Sequence, residues 1–226
     1  LGFKERKVKL GTFFIGLGLV LAAIIMVGSF INSPLFRAKD YATLITVEEK
    51  DFATDFAEND TSGIPLRDRD TATRLGDRQL GGVAELVSQF VPADDYIQIN
   101  IDNVPYRVSP LQYASFFRWV NNRENGVPGY IRVNMVTGNA EIVDVEEGIK
   151  YSDSELFGRN VTRHLRFSYP TAIFDSPSFE VDDEGHPYYV ATTYKTRFFF
   201  NYKEPNGVIT LDAVTGETQK YALDES

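Results

Sequence analysis

Two histidines, His164 and His186, and no cysteine narrow what this 226-residue chain can do chemically. Without cysteine there is no disulfide, no thiolate metal site and no cysteine nucleophile. His186 follows the acidic run Asp182-Asp183-Glu184, so imidazole and carboxylates could together hold a cation. Zinc sites are marked by compact ligand pairs such as HExxH, and none is present. The same turn and histidine would supply the acid and base of one alternative function, an envelope hydrolase. A Ser–His–Asp triad assembles in space, but neither a GxSxG elbow nor an SxxK pair marks a nucleophile here. Gly81-Gly82 is too short for a phosphate loop. Asp55, Glu58 and Asp60 lack the oxygen-ligand spacing of a calcium loop. They read as solvated acidic surface, as do the alternating charges of Arg67 to Asp70. No catalytic residue, metal or cofactor is assigned from these patterns.

The constellation that suggests recognition is basic. Arg159, Arg163 and Arg166 recur at i, i+4 and i+7, so a helix would align them along one side. Such a stripe could grip an anionic partner segment through bidentate guanidinium–carboxylate bonds. The competing expectation is pairing with the chain's own Asp and Glu, which outnumber Lys and Arg by 32 to 23. His164 lies among these arginines, at the core edge or on a basic surface. The formal charge of −9 argues against nucleic acid, whose phosphates require clustered cations.

What positions these residues begins with a membrane span. Gly11 to Ile31 carries no charge and matches the roughly 20 apolar residues that cross a bilayer as a helix. Lys4, Arg6, Lys7 and Lys9 precede it against Glu5 alone. The positive-inside rule then places the N-terminus in the cytoplasm and residues 37–226 outside. The run exceeds the core of a cleaved signal peptide and lacks a small-x-small cleavage site, so the anchor is expected to stay. Gly18 and Ala22, four apart, could admit a second helix closely; ordinary membrane-helix composition explains them too. The chain opens on Leu1 and closes on Leu-Asp-Glu-Ser, which reads as an excerpt in which this span is single or the last of several. A cysteine-free outer part fits a bacterial envelope.

Four segments follow: a basic flank and span at 1–36, a polar acidic spacer at 37–80, and two α+β units at 81–150 and 151–226. Tyr41–Val47 reads as a strand within the spacer. Leu80, Val83, Val87 and Phe90 have helical spacing. Residues 96–108 read as a hairpin about Asp102-Asn103. Ser109-Pro110-Leu111-Gln112 and Ser152-Asp153-Ser154-Glu155 each read as a capping box opening a helix. The first would bury Tyr113, Phe116, Phe117 and Val120 with Trp119 off the stripe; the second would bury Phe157, Val161 and Leu165. From Val190 to Tyr202 a long strand keeps one face by its two-residue period, and Asn206-Gly207 is expected to turn it back.

The most specific pattern is an internal repeat. Gly129-Tyr-Ile-Arg-Val-Asn-Met-Val-Thr-Gly138 aligns without a gap on Gly207-Val-Ile-Thr-Leu-Asp-Ala-Val-Thr-Gly216, each a hairpin with glycine at the turn. Two copies, each after a helix, predict two units of about 70 residues. The second hairpin, Asp212-Ala-Val-Thr215-Gly216-Glu217, resembles the signature of PepSY-type domains, small extracytoplasmic helix-plus-sheet modules that are often membrane-tethered. The first departs from it with Asn134 for Asp and Asn139 for Glu. The resemblance covers the hairpins and their helices, under half of residues 81–226. It implies binding or inhibition of a partner, and its motif holds no catalytic residue. The sequence thus predicts a membrane-anchored binding, scaffolding or regulatory module facing an envelope or membrane protein, with a homo-oligomer open. The alternatives are a structural accessory subunit of a membrane assembly and the hydrolase named above.

Overall fold

The computed structural model describes residues 2–31, 33, 35–36, 38–39, 64–197 and 202–223. The expected strand at 41–47 and the acidic trio Asp55, Glu58 and Asp60 lie outside these residues. The chain divides into two compact units, Leu1–Ala57 with Tyr194–Pro205, and Glu58–Thr193 with Asn206–Ser226.

The first unit holds helix α1, Gly2–Ile31. Its segment Gly11–Ile31 has a mean hydropathy of 2.6 and is long and apolar enough to cross a membrane, as an anchor or a signal sequence. A Cβ built on Gly18 meets no atom within 4 Å, so Gly18 and Ala22 stand on open helix surface.

The second unit is α+β, with two antiparallel sheets sharing one core that runs from Ala72 to Ala213. The expected boundary at 150/151 therefore falls inside one body, where the amides of Lys150 and Tyr151 both donate to the Ala213 carbonyl at 2.9 Å. The spacer reading of 37–80 is corrected at its C-terminal end, where α2 occupies Arg69–Gly81. Asp68 caps it, accepting from the Thr71 amide at 2.8 Å, and Ala72, Gly76 and Leu80 form its buried stripe. Ala72 and Gly76 are too small to register as an apolar period. Gly76 is required: a Cβ there would run into the Tyr96 hydroxyl and Ile131. The helical spacing seen from Leu80 to Phe90 resolves into the end of α2, a short helix α3 at Ala84–Val87, and strand β1 at Phe90–Pro92.

Strands β2 (Ile97–Ile101) and β3 (Val104–Tyr113) form the expected hairpin. Asp102 and Asn103 both have positive φ, 49° and 65°, the geometry a two-residue primed turn demands. Helix α4 (Phe116–Asn122), β4 (Val127–Asn134) and β5 (Ala140–Ile149) complete the first half. A 3-10 turn at Phe157–Arg159 leads into helix α5 (Val161–Ser168). Then come β6 (Ile173–Phe174), β7 (Ser178–Val181), β8 (Pro187–Arg197), β9 (Tyr202–Asp212) and β10 (Thr218–Ala222).

Both expected capping boxes are corrected. Ser109 lies within β3, its hydroxyl donating to the Ala93 carbonyl at 3.0 Å; the cap of α4 is Ser115. Glu155 is turned into the core, and Asn160 caps α5. Tertiary burial overrode the local signal in each case. Asn206-Gly207 is likewise no turn: β9 runs through it, and Asn206 accepts from the Thr193 hydroxyl at 2.9 Å.

The repeat extends well beyond its hairpins. In the first sheet β1 and β2 both pair with β3, followed by β4 and β5; in the second β6 and β7 both pair with β8, followed by β9 and β10. Each half thus has a helix, an edge strand broken in two, and three antiparallel strands. The turns match bond for bond. Asn134 Oδ1 accepts from the amides of Val136 and Thr137 at 2.9 and 2.8 Å. Asp212 Oδ1 accepts from those of Val214 and Thr215 at 2.8 and 2.9 Å. Both turns end on a glycine at φ near +80°.

Candidate functional site

The site grows from a buried carboxylate. Glu155 is 1% exposed, and both its oxygens are used: Oε1 accepts from the Tyr113 hydroxyl at 2.6 Å and Oε2 from the Trp119 indole at 2.8 Å. Burial, the hydrogen bond and the neighbouring charge of Glu155 all push the Tyr113 phenol up, while Arg159 opposes them weakly. Three elements meet at this carboxylate: the end of β3, α4, and the 152–160 segment. Trp119 is therefore the buried residue of α4, and the expected stripe is reversed. Phe116, Phe117 and Val120 are 60%, 76% and 41% exposed.

With Glu155 held inward, the residues after it are turned out. Phe157 has φ +54°, a conformation that costs a bulky L-residue about 1–2 kcal/mol, and its ring is exposed. It lies 6.1 Å from Trp119; Phe116 lies 5.7 Å from Trp119 and 5.8 Å from Phe117. The result is a continuous row, Phe117–Phe116–Trp119–Phe157. Beside Trp119 and Phe157 is a hollow of about 260 Å³, to which Glu155, Arg123 and Arg159 also contribute.

The expected arginine stripe is redistributed. Arg159 sits in the 3-10 turn and donates to the Arg123 carbonyl; Arg163, on α5, donates to the Phe157 carbonyl at 3.2 Å. Arg123 lies 5.5 Å over the Trp119 ring. Arg166 is apart from them, stacked 4.2 Å over Phe174 and bonded to the Ala172 carbonyl. Among the described residues none of these four guanidinium groups pairs with a carboxylate; the expected pairing with Asp and Glu is replaced by bonds to backbone oxygens. Arg123, Arg159 and Arg163 thus stand beside the aromatic row without an ion pair among the described residues, although the Glu124 and Glu155 carboxylates line the same hollow.

No protein-family model, curated protein or solved structure matches the chain.

The histidines are brought to one turn, though not to one another. His186 Nε2 lies 3.1 Å from Asp212 Oδ2, while its amide donates to Asp182 at 2.7 Å. His164 Nε2 faces the Gly216 carbonyl at 3.0 Å and Nδ1 the Gly158 carbonyl at 3.2 Å. Partial burial pushes the Asp212 carboxyl up. The Thr215 and Val214 amides and His186 more than reverse that, leaving it below its ordinary value. Asp183 is engaged elsewhere, accepting from the Asp102 amide at 3.3 Å. Among the described residues no group of three or more His, Asp or Glu is arranged to hold a metal.

Beyond this turn the open face of the second sheet forms a groove of about 550 Å³, lined among others by Glu180, Asp182, Tyr188, Asp212, Glu217 and Tyr221. Burial pushes the Tyr188 phenol up, and Asp182, Asp212 and Glu184 add to it; burial likewise raises Glu180. Sequence reasoning missed the Glu155 node and the outward Phe157. The one available signal was the lone tryptophan, whose indole N–H needs a partner once buried.

Proposed function

We propose that this chain is a membrane-anchored binding or regulatory module whose α+β part lies outside the cytoplasm and docks an acidic segment of an envelope or membrane protein. The observation that carries it is the row of exposed phenylalanines flanked by arginines that have no carboxylate partner. Exposed apolar patches rimmed by charge mark interaction sites, and aromatic residues with arginine are the groups that dominate interface energy. The basic residues that precede the apolar run Gly11–Ile31 support the topology. The duplicated helix-and-sheet order, with the Thr-Gly turn in each half, supports the PepSY-like reading.

A photo-crosslinking residue at position 117 or 157, installed in intact cells, tests the docking face. The expected result is one membrane-fraction product from both positions, absent from a probe at exposed Glu147 and lost with Arg163→Glu. Equal labelling from all three positions, or none from 117 and 157, overturns it. Protease added to intact cells should cleave the α+β part; protection until lysis would refute the topology.

One observation favours a second reading: Asp212, which lines the open groove, lies 3.1 Å from the imidazole of His186, the group that would serve as general base. Hydrolase activity in the purified chain, abolished by His186→Ala, would replace the binding module with an enzyme.

A further inference from the structure

We infer that the aromatic–arginine surface of one chain docks into the acidic, tyrosine-lined groove of a second copy. This rests on the docking face proposed above and names its occupant. The first argument is charge. In a chain of net charge −9, Arg123, Arg159 and Arg163 gather beside exposed rings without carboxylate partners. The groove gathers Glu180, Asp182, Asp212 and Glu217, and among the described residues no lysine or arginine lines it. The patch offers exposed guanidinium groups beside Glu124 and the buried Glu155, the groove offers carboxylates, and such complementarity fixes partner choice and register.

The second argument is the layer order. Tyr130, on the first sheet, packs 5.7 Å from Phe179, and its hydroxyl donates to the Gly185 carbonyl at 3.1 Å. That face of the first sheet is covered by the second. By the repeat, Tyr130 corresponds to Val208, so the equivalent face of the second sheet carries Val208, Thr210 and Asp212. This is the face that forms the groove, and among the described residues no further layer covers it. The third argument is placement. His164 touches both Gly158, next to Phe157, and Gly216, next to Glu217. Patch and groove meet along this rim. Two copies related by a two-fold axis can therefore satisfy both contacts reciprocally, as isologous interfaces do. Tyr188 and Tyr221 offer ring faces to guanidinium groups, and Glu180 and Glu217 offer carboxylates.

The test is charge exchange in the full chain, purified in detergent and followed by analytical ultracentrifugation. Arg159→Glu with Arg163→Glu reverses the patch; Glu180→Lys with Glu217→Lys reverses the groove. Each double variant alone is expected to self-associate at least tenfold more weakly than wild type at low salt. An equimolar mixture of the two should regain association, because acidic patch then meets basic groove and native patch meets native groove. Phe117→Ser, at the most exposed ring of the row, should weaken association without altering Trp119 fluorescence, which separates lost docking from lost folding. Wild-type chains monomeric at 100 µM, association insensitive to the groove variant, or a mixture that does not recover would each overturn the inference. If a photo-crosslink from positions 117 and 157 to another protein survives groove reversal, the docking face stands and its occupant is not a second copy.

Discussion

Removing the Glu155 carboxylate should loosen the whole aromatic–arginine surface. Glu155→Ala strands two buried donors, the Tyr113 hydroxyl and the Trp119 indole, that now sit 2.6 and 2.8 Å from its oxygens. Each stranded donor costs about 1–3 kcal/mol, so the expected loss for the two is about 2–6 kcal/mol. Glu155→Gln keeps one carbonyl acceptor and sets an amide N–H₂ against the other donor, for about half that loss. Trp119 is the only tryptophan, so its fluorescence reports this node directly during urea unfolding. A double-mutant cycle of Tyr113→Phe with Glu155→Gln should show a coupling of about 1 kcal/mol or more. In the folded variants the emission should shift red as water reaches the indole. If Glu155→Ala costs less than about 0.5 kcal/mol and leaves the emission unchanged, the carboxylate does not hold α4 against the 152–160 segment.

Four further outcomes follow from the geometry. Gly76→Ala should cost about 1–3 kcal/mol by overpacking against Tyr96 and Ile131, read as a lowered urea midpoint. Gly138→Ala and Gly216→Ala each force a side chain to positive φ, about 1–2 kcal/mol. Gly216→Ala should cost more, since its Cβ meets the Tyr151 ring whereas that of Gly138 meets the far end of the longer Arg67 side chain, which can shift by rotating its stem; thermal melts of the pair measure the difference. Asp212 has a lowered folded pKa, so its stabilisation is present above its ordinary value near 3.8 and disappears as pH falls through the folded one. Asp212→Asn should remove that acid-limb slope in stability against pH, at a cost of no more than about 1 kcal/mol, because Asn134 already occupies the matching turn. Leu21→Arg should raise the cost of inserting α1 by about 2.5–3.5 kcal/mol, seen as protein released from membranes by carbonate.

What was legible in the sequence was periodic or turn-borne. The apolar run of α1 and the hairpins about Asp102-Asn103, Thr137-Gly138 and Thr215-Gly216 carry their own signals, because glycine and asparagine meet φ requirements that few residues can. The helices were harder. Ser109 and Ser152 begin plausible capping boxes, but a capping box describes two side chains and two amides, and burial can claim either side chain first. Glu155 was claimed by Tyr113 and Trp119, and Ser109 by Ala93. The aromatic face of α4 was misassigned because a row of phenylalanines has the same spacing whether it looks inward or outward. The arginine stripe failed for a related reason: Arg159 precedes the cap at Asn160, and no helix carries all three residues. Two of them reach the aromatic row by a different route, beside a ring that no periodicity would place outside.

The broken edge strands carry a consequence of their own. Each sheet begins with two fragments in place of one continuous rim: β1 and β2 span 3 and 5 residues, β6 and β7 span 2 and 4. A continuous flat rim is a template onto which a stranger's backbone can add. Here the template is cut mid-length in both halves, and Pro92 and Pro177 beside the cuts have no amide to offer. At the opposite rim of the first sheet, β5 carries Asp144, Glu146 and Glu147, whose like charges repel a second copy of themselves. A chain crowded among its own kind is thereby steered away from amyloid-like stacking.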